Sequence, residues 1–197
     1  MRNPSPAPTP ALATLPLLWL LSDERNDVGI EEAFAKLPEA TGFVFRHYHL
    51  DGENRRNRFT HLAKCAHLHH HRVVLSGDIE TAREWGADGV YGSAAHRPTP
   101  GLLRLATAHD GAELQAANAA RVDGVFLSPV FPTRSHPGAD ALGPMGFAVL
   151  AQQSLAPVIA LGGMTAERAQ VLGWPRWGAI DGLADGSAGD LRAQPRT

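Results

Sequence analysis

The chain has a single cysteine, Cys65, among its 197 residues, so it can close no internal disulfide and cannot assemble a thiolate zinc cluster. A reducing cytoplasm fits that usage. It lacks an excess of either charge: 18 Lys and Arg against 20 Asp and Glu give a formal net charge of -2, which supplies no basic field for nucleic acid. It also lacks an apolar run near the ~18 residues that a membrane span needs. Residues 12–21 are apolar and follow Arg2, but Pro16 interrupts them and Ser22-Asp23-Glu24 stands where a secretory cleavage site needs small residues. The expectation is a cytoplasmic protein that works on small molecules.

What is present is a pattern. The length suits one domain. Residues 1–14 carry Pro4, Pro6, Pro8 and Pro10 between small residues, a composition that reads as a disordered arm. Residues 15–186 alternate short apolar runs with helical stretches, and 187–197 read as a tail. The runs at 17–21, 42–46, 72–75, 89–91, 103–107, 124–128, 157–161 and 178–180 predict strands. Amphipathic helices are predicted at 30–37, 56–68, 79–85, 110–120, 147–153 and 165–172, with Asp110, Thr165 and Asn54 as caps. Eight such repeats predict an α/β fold, a single small TIM (β/α)8 barrel, with shortened helices after strands 4 and 8. Asp88-Gly89-Val90 and Asp123-Gly124-Val125 are near copies at the starts of strands 4 and 6, a hint of a half-barrel repeat.

In such a barrel the chemistry sits at the C-terminal ends of the strands. That rule selects Asp23, Arg46, Tyr48, Ser76, Asp78, Tyr91, Ser93, His109, Ser128, Thr133, Arg134, Ser135, His136, Gly162, Gly163 and Asp181. It places the conspicuous His67, His69, His70 and His71 on the opposite, stability rim, where imidazolium groups complement a helix C-terminus better than they make a metal site. Gly162-Gly163, between an apolar strand and a helix, offers backbone N–H groups to a phosphate. The stiff loop 128–136 carries two prolines followed by hydroxyls, Arg134 and His136, a composition suited to an anionic substrate.

The Pro-Val-Phe-Pro-Thr core of residues 128–135 resembles the signature loop of the thiamine phosphate synthase and thiazole tautomerase superfamily. Pro157-Val158-Ile159-Ala160-Leu161-Gly162-Gly163-Met164-Thr165 is similar to that family's phosphate-binding turn, and residues 18–23 and 86–90 to its first and fourth strands. The resemblance implies a (β/α)8 barrel in thiamine biosynthesis, a small phosphorylated thiazole or pyrimidine metabolite as ligand, and a homodimer as a further expectation. Synthases join a hydroxymethylpyrimidine pyrophosphate to a thiazole phosphate with magnesium; tautomerases aromatise the thiazole phosphate by moving a proton.

This chain departs from the synthase pattern. Ser76 and Gly77 stand where the resemblance puts Asn-Asp, Ala95 or His96 where it puts a second aspartate, and Tyr48 and His136 where it puts lysines. Of the pyrimidine-binding set only Arg46 is kept, Val44 replacing a glutamine. Magnesium wants hard oxygen ligands, so it would be a cofactor only if synthase activity is retained, with Asp78 as a substitute ligand. Asp181 falls in the phosphate-binding region of strand 8, where it should repel a phosphate. His109, by contrast, matches the tautomerase acid/base histidine, and an imidazole titrates where proton transfer needs it. The leading expectation is tautomerase-like proton transfer with His109 as catalytic residue and with Arg46, Ser128, Thr133, Arg134, Ser135, His136, Gly162 and Gly163 binding the ligand. The alternatives are an active synthase and a non-catalytic barrel that holds a phosphometabolite.

Overall fold

The computed structural model describes residues 15–134, 140–181 and 183; the arm at 1–14 and the tail at 187–197 lie outside them, as do Ser135 and His136. Eight parallel strands close in sequential order: β1 (Leu18–Leu21), β2 (Gly42–Phe45), β3 (Arg72–Ser76), β4 (Gly89–Tyr91), β5 (Leu103–Ala108), β6 (Gly124–Leu127), β7 (Val158–Ala160) and β8 (Trp177–Ala179), with β8 pairing back onto β1. Most of these strands are buried on both faces, which is why they read as continuous apolar runs rather than alternating ones.

The connecting helices are α1 (Ile30–Lys36), α2 (Gly52–Leu68), α3 (Ile79–Trp85), α4 (Gly111–Ala120), α5 (Gly143–Ala151) and α6 (Ala166–Leu172). Four of them open on one device, a side-chain oxygen that accepts the N–H three residues on: Asp51 from Asn54, Asp78 from Thr81, Asp110 from Glu113 and Thr165 from Arg168. Asn54 is therefore not the cap of α2 but the residue capped, and the helix starts four residues earlier than predicted. Helix α5 also starts early, since Pro144 occupies its first turn, where a missing N–H costs nothing. After β4 there is only a 3-10 turn, Ser93–His96, the shortened connection expected there; the corresponding stretch after β8 lies outside the described residues.

Strand parity divides the core in two. Outward residues such as Phe43, Phe45, Val73 and Leu127 pack under the helices against Phe34, Phe59 and Phe147. Inward residues Trp19, Leu21, Val44, Val74, Leu105, Phe126 and Ile159 fill the barrel. Trp19 is its plug: it is wholly buried, its indole N–H donates to the Pro16 carbonyl at 2.9 Å, and its ring meets Phe126 edge-on at 5.5 Å. Gly42 makes room for it, because a Cβ there would lie 2.2 Å from the Trp19 ring.

The two Asp-Gly-Val copies do the same job. Asp88 donates its N–H to the Val73 carbonyl and accepts the Val73 N–H at 2.7 Å; Asp123 treats Arg104 identically, at 2.8 Å. Each thus closes the first backbone pair of the preceding strand. The histidines after α2 lie on this same rim: His67 Nε2 meets Asp88 at 3.0 Å and His71 Nε2 donates to the Phe34 carbonyl at 2.9 Å. They do not converge, and among the described residues no three His, Cys, Asp or Glu groups gather as a metal would need. Among those residues, no helix is long and apolar enough to cross a membrane.

Candidate functional site

The strands end in a layer of inward-facing residues two positions beyond the barrel core: Arg46 after Val44, Ser76 after Val74, Thr107 after Leu105, Ser128 after Phe126, Leu161 after Ile159. Together with Tyr91 and Ile180, most of this layer floors a cavity of about 680 Å³ at the C-terminal mouth. The walls are Tyr48, His109, Pro129, Pro132, Thr133, Arg134, Asp140, Gly162, Gly163, Thr165, Arg168 and Asp181. The cavity thus brings together His109, Arg46, Ser128, Thr133, Arg134, Gly162 and Gly163. Ser135 and His136 cannot be placed, being outside the described residues.

One wall is a loop zipped onto a turn. Val130 N–H donates to the Leu161 carbonyl at 2.8 Å and Phe131 N–H to the Gly162 carbonyl at 3.0 Å, so the Pro-Val-Phe-Pro loop continues the β6–β7 pairing. Glycine is required at both turn positions: φ is +92° at Gly162 and +62° at Gly163, and an added Cβ would fall 2.6 Å from Pro129 Cα or from the Pro132 carbonyl, respectively. Arg168 locks the pair, with its guanidinium 5.0 Å from the centre of the Phe131 ring and donating to the Gly163 carbonyl. Among the described residues, neither the Gly162 nor the Gly163 N–H is taken up by a backbone carbonyl, so this wall has donors to offer an anion.

After β5, on the other side of the β6 loop, stands His109, half exposed, whose Nδ1 lies 2.7 Å from Glu113 Oε2. The same oxygen accepts the His109 backbone N–H at 2.7 Å. An ionised carboxylate only accepts, so Nδ1 carries the proton and the Nε2 lone pair of the neutral ring is left as the basic site.

Charge at the mouth is largely compensated. Arg134 Nη2 reaches Asp181 at 3.1 Å and Arg25 Nη1 reaches it at 3.4 Å. The expected repulsion between Asp181 and a phosphate is therefore offset by its two arginines. Asp23 holds Arg25 at 2.7 Å and lies 3.8 Å from Arg46; the hydrogen bond from Arg25 outweighs its burial and keeps its carboxyl below the usual range. Tyr91, packed edge-on to Phe126 at 5.2 Å, is pushed up by burial and stays a neutral phenol.

The β2–β3 corner does not fit magnesium. Tyr48 Oη bonds Ser76 Oγ at 2.5 Å, and Arg55 donates to the carbonyls of Arg46 (2.9 Å) and Ser76 (2.6 Å). A cation is already built into that corner. Asp78, the substitute ligand considered above, spends both oxygens on the N–H and hydroxyl of Thr81, at 2.7 and 2.9 Å, and it does not line the cavity. The 3-10 turn after β4 adds no carboxylate.

Sequence reasoning missed Thr107 and Arg168. Strand parity could have found Thr107, two residues before His109; nothing in the sequence marks Arg168 beyond its place in the first turn of α6.

A model of the family described as "Thiamine monophosphate synthase" matches residues 22–173. Among curated relatives, a thiamine-phosphate synthase of Levilactobacillus brevis is 30% identical over 105 residues, covering 48% of each chain. One of Geobacillus thermodenitrificans is 28% identical over 132 residues, covering 62% of this chain and 60% of the relative. The chain thus aligns with about half to three fifths of their length. Among solved structures, a thiamine phosphate pyrophosphorylase from Pyrococcus furiosus superposes with a TM-score of 0.73 at 19% identity, over 88% of this chain and 92% of that one, a likeness of fold. With the family model spanning both the signature loop and the Gly-Gly turn, the chain belongs to the thiamine monophosphate synthase family.

Proposed function

We propose that this protein is an enzyme of thiamine biosynthesis that binds a thiazole phosphate and moves a proton on its ring, with His109 as acid and base. The observation that carries the reading is the His109–Glu113 pair, which engages Nδ1 and leaves Nε2 to act, on a residue that lines the same cavity as Gly162, Gly163 and Arg134. In this reading the phosphate takes the Gly162 and Gly163 N–H groups with Arg134 beside it, and Arg46 and Ser128 hold the ring. Nε2 removes a proton from one ring position, and the imidazolium formed, stabilised by Glu113, returns it to another. The test is conversion of a non-aromatic thiazole phosphate tautomer, followed by the ultraviolet change on aromatisation; a wild type with no activity on it would refute the reading.

A second reading, synthase chemistry, is favoured by the names of the relatives, both thiamine-phosphate synthases. The corner where Tyr48, Ser76 and Arg55 lock together counts against it. A coupled thiamine phosphate assay with and without magnesium separates the two.

A further inference from the structure

Between β1, β2, α1 and α2 lies a chain of polar groups of which Arg46 alone lines the cavity. Ser22 and His47 are buried, at 0% and 1% exposure. Arg46 is the first residue after β2, and its N–H donates to Ser22 Oγ at 2.7 Å. Ser22 Oγ meets His47 Nδ1 at 2.7 Å, and His47 Nε2 meets Asp27 Oδ1 at 2.6 Å. Arg58 Nε donates to the same Asp27 oxygen at 2.8 Å and Arg58 Nη1 to Glu31 at 2.5 Å; His61 Nε2 stands 3.1 Å from that glutamate.

The proton positions follow. Asp27 accepts, so Nε2–H donates; Nδ1 then accepts the Ser22 hydroxyl, and Ser22 Oγ accepts the Arg46 N–H. Every donor and acceptor of the relay is used only in this arrangement. His47 has φ +27°, a left-handed conformation unusual outside glycine and costing about 1 kcal/mol or more, and its ring stacks on Phe45 at 4.6 Å. The bend sets Arg46 and Tyr48, on either side of it, into the cavity wall.

We propose that His47 is a positioning residue of the site: through Ser22 it fixes the backbone of Arg46, and through its own bent backbone it sets the approach of Arg46 and Tyr48 to the ligand. For its link to ligand binding this rests on the reading of the cavity as an anion site. Adding a proton at Nδ1 turns the Ser22 hydroxyl away from the one acceptor it has among the described residues, so the device loosens in acid. The groups facing His47 are Asp27 from the loop before α1, Arg58 from α2, and His49 of its own loop, whose ring lies 5.3 Å away. Burial lowers the His47 imidazole against the raising influence of Asp27, which agrees with a neutral ring.

The test uses the whole protein in four forms: wild type, Ser22→Ala, His47→Leu and His47→Gln, the last keeping a donor and an acceptor at nearly imidazole spacing. Amide exchange of Arg46, read by NMR without ligand, should be about ten-fold faster in Ser22→Ala and His47→Leu, the loss expected of one buried hydrogen bond, and restored in His47→Gln. Sulfate is the probe for the site, since its charge is constant from about pH 5 to about pH 8, where histidine titrates. Its affinity should follow the exchange result at pH 8, and wild type should lose affinity in acid relative to His47→Gln. If His47→Leu does not fold, Ser22→Ala decides. Unchanged Arg46 exchange in Ser22→Ala would overturn the positioning role. A wild type that binds no sulfate would overturn the anion-site reading instead, and the two failures appear in different measurements.

Discussion

Gly163 and Pro132 belong to different loops, yet a single methyl group placed on Gly163 would lie 2.6 Å from the Pro132 carbonyl oxygen. The turn after β7 and the loop after β6 are thus one surface, and the cavity wall they form cannot be altered at one without moving the other. Gly163→Val should weaken binding of a thiazole phosphate at least ten-fold by calorimetry, and the strained φ should cost about 1–3 kcal/mol of stability. Unchanged affinity would remove the turn from the site.

Gly42 and Trp19 form a second obligate pair, this time in the barrel floor. Gly42→Ala should cost about 1–3 kcal/mol by overpacking, measured by urea denaturation. Trp19→Leu also destabilises, but the double variant should be markedly better than the sum of the two, because the smaller side chain leaves room for the methyl. Strict additivity would show that the ring and the missing Cβ do not compete.

Stability should fall in mild acid. Burial holds the imidazoles of His47 and His71 below their ordinary 6.5, against the raising influence of Asp27 on the first and the Phe34 carbonyl on the second. The unfolded chain therefore takes up protons that the native state resists as pH drops through that value. The contribution is whole above about pH 6.5 and is lost below it. Asp23, Asp27 and Glu31 are held below their ordinary 3.8 to 4.5 and add a second loss further down. A urea midpoint that stays constant from about pH 7.5 to about pH 5.5 would contradict this.

Thiamine phosphate formation from the pyrimidine pyrophosphate and a thiazole phosphate should be slow or absent, with or without magnesium. Departure of pyrophosphate develops charge that must be met by preorganised cations and metal, and the β3 corner holds Arg55 bound to two carbonyls in place of carboxylates. Turnover near ~1 s⁻¹, the low end of typical enzyme rates, would contradict the account of that corner.

The barrel was legible because parallel strands buried on both faces leave apolar runs, and the caps Asp110 and Thr165 announce themselves by residue type. Asn54 misled because a polar residue three positions inside a helix looks like a cap when the true one, Asp51, stands before a glycine. At the site, the strand-end rule found Arg46, Tyr48, Tyr91, His109 and the Ser128 and Gly162 loops but not Thr107 or Arg168, and it did not find the partners of these side chains. That Glu113 fixes the tautomer of His109, that Arg25 and Arg134 quench Asp181, and that Asp78 is spent on Thr81 are facts of distance. The Ser22–His47–Asp27 relay was hidden for the same reason: His47 lies 25 residues from Ser22 and 20 from Asp27 in sequence and meets them only when β1, β2 and the loop before α1 pack.

The proton-transfer reading is tested most directly by His109→Asn, which keeps a hydrogen-bonding side chain for Glu113 and removes the titratable ring. Aromatisation of the thiazole phosphate tautomer, followed by its ultraviolet change, should fall by about 10²-fold or more, while calorimetric affinity for the phosphate-bearing ligand stays within about two-fold, since the anion contacts come from the turn after β7 and not from the His109 side chain. Full activity in His109→Asn would contradict the account.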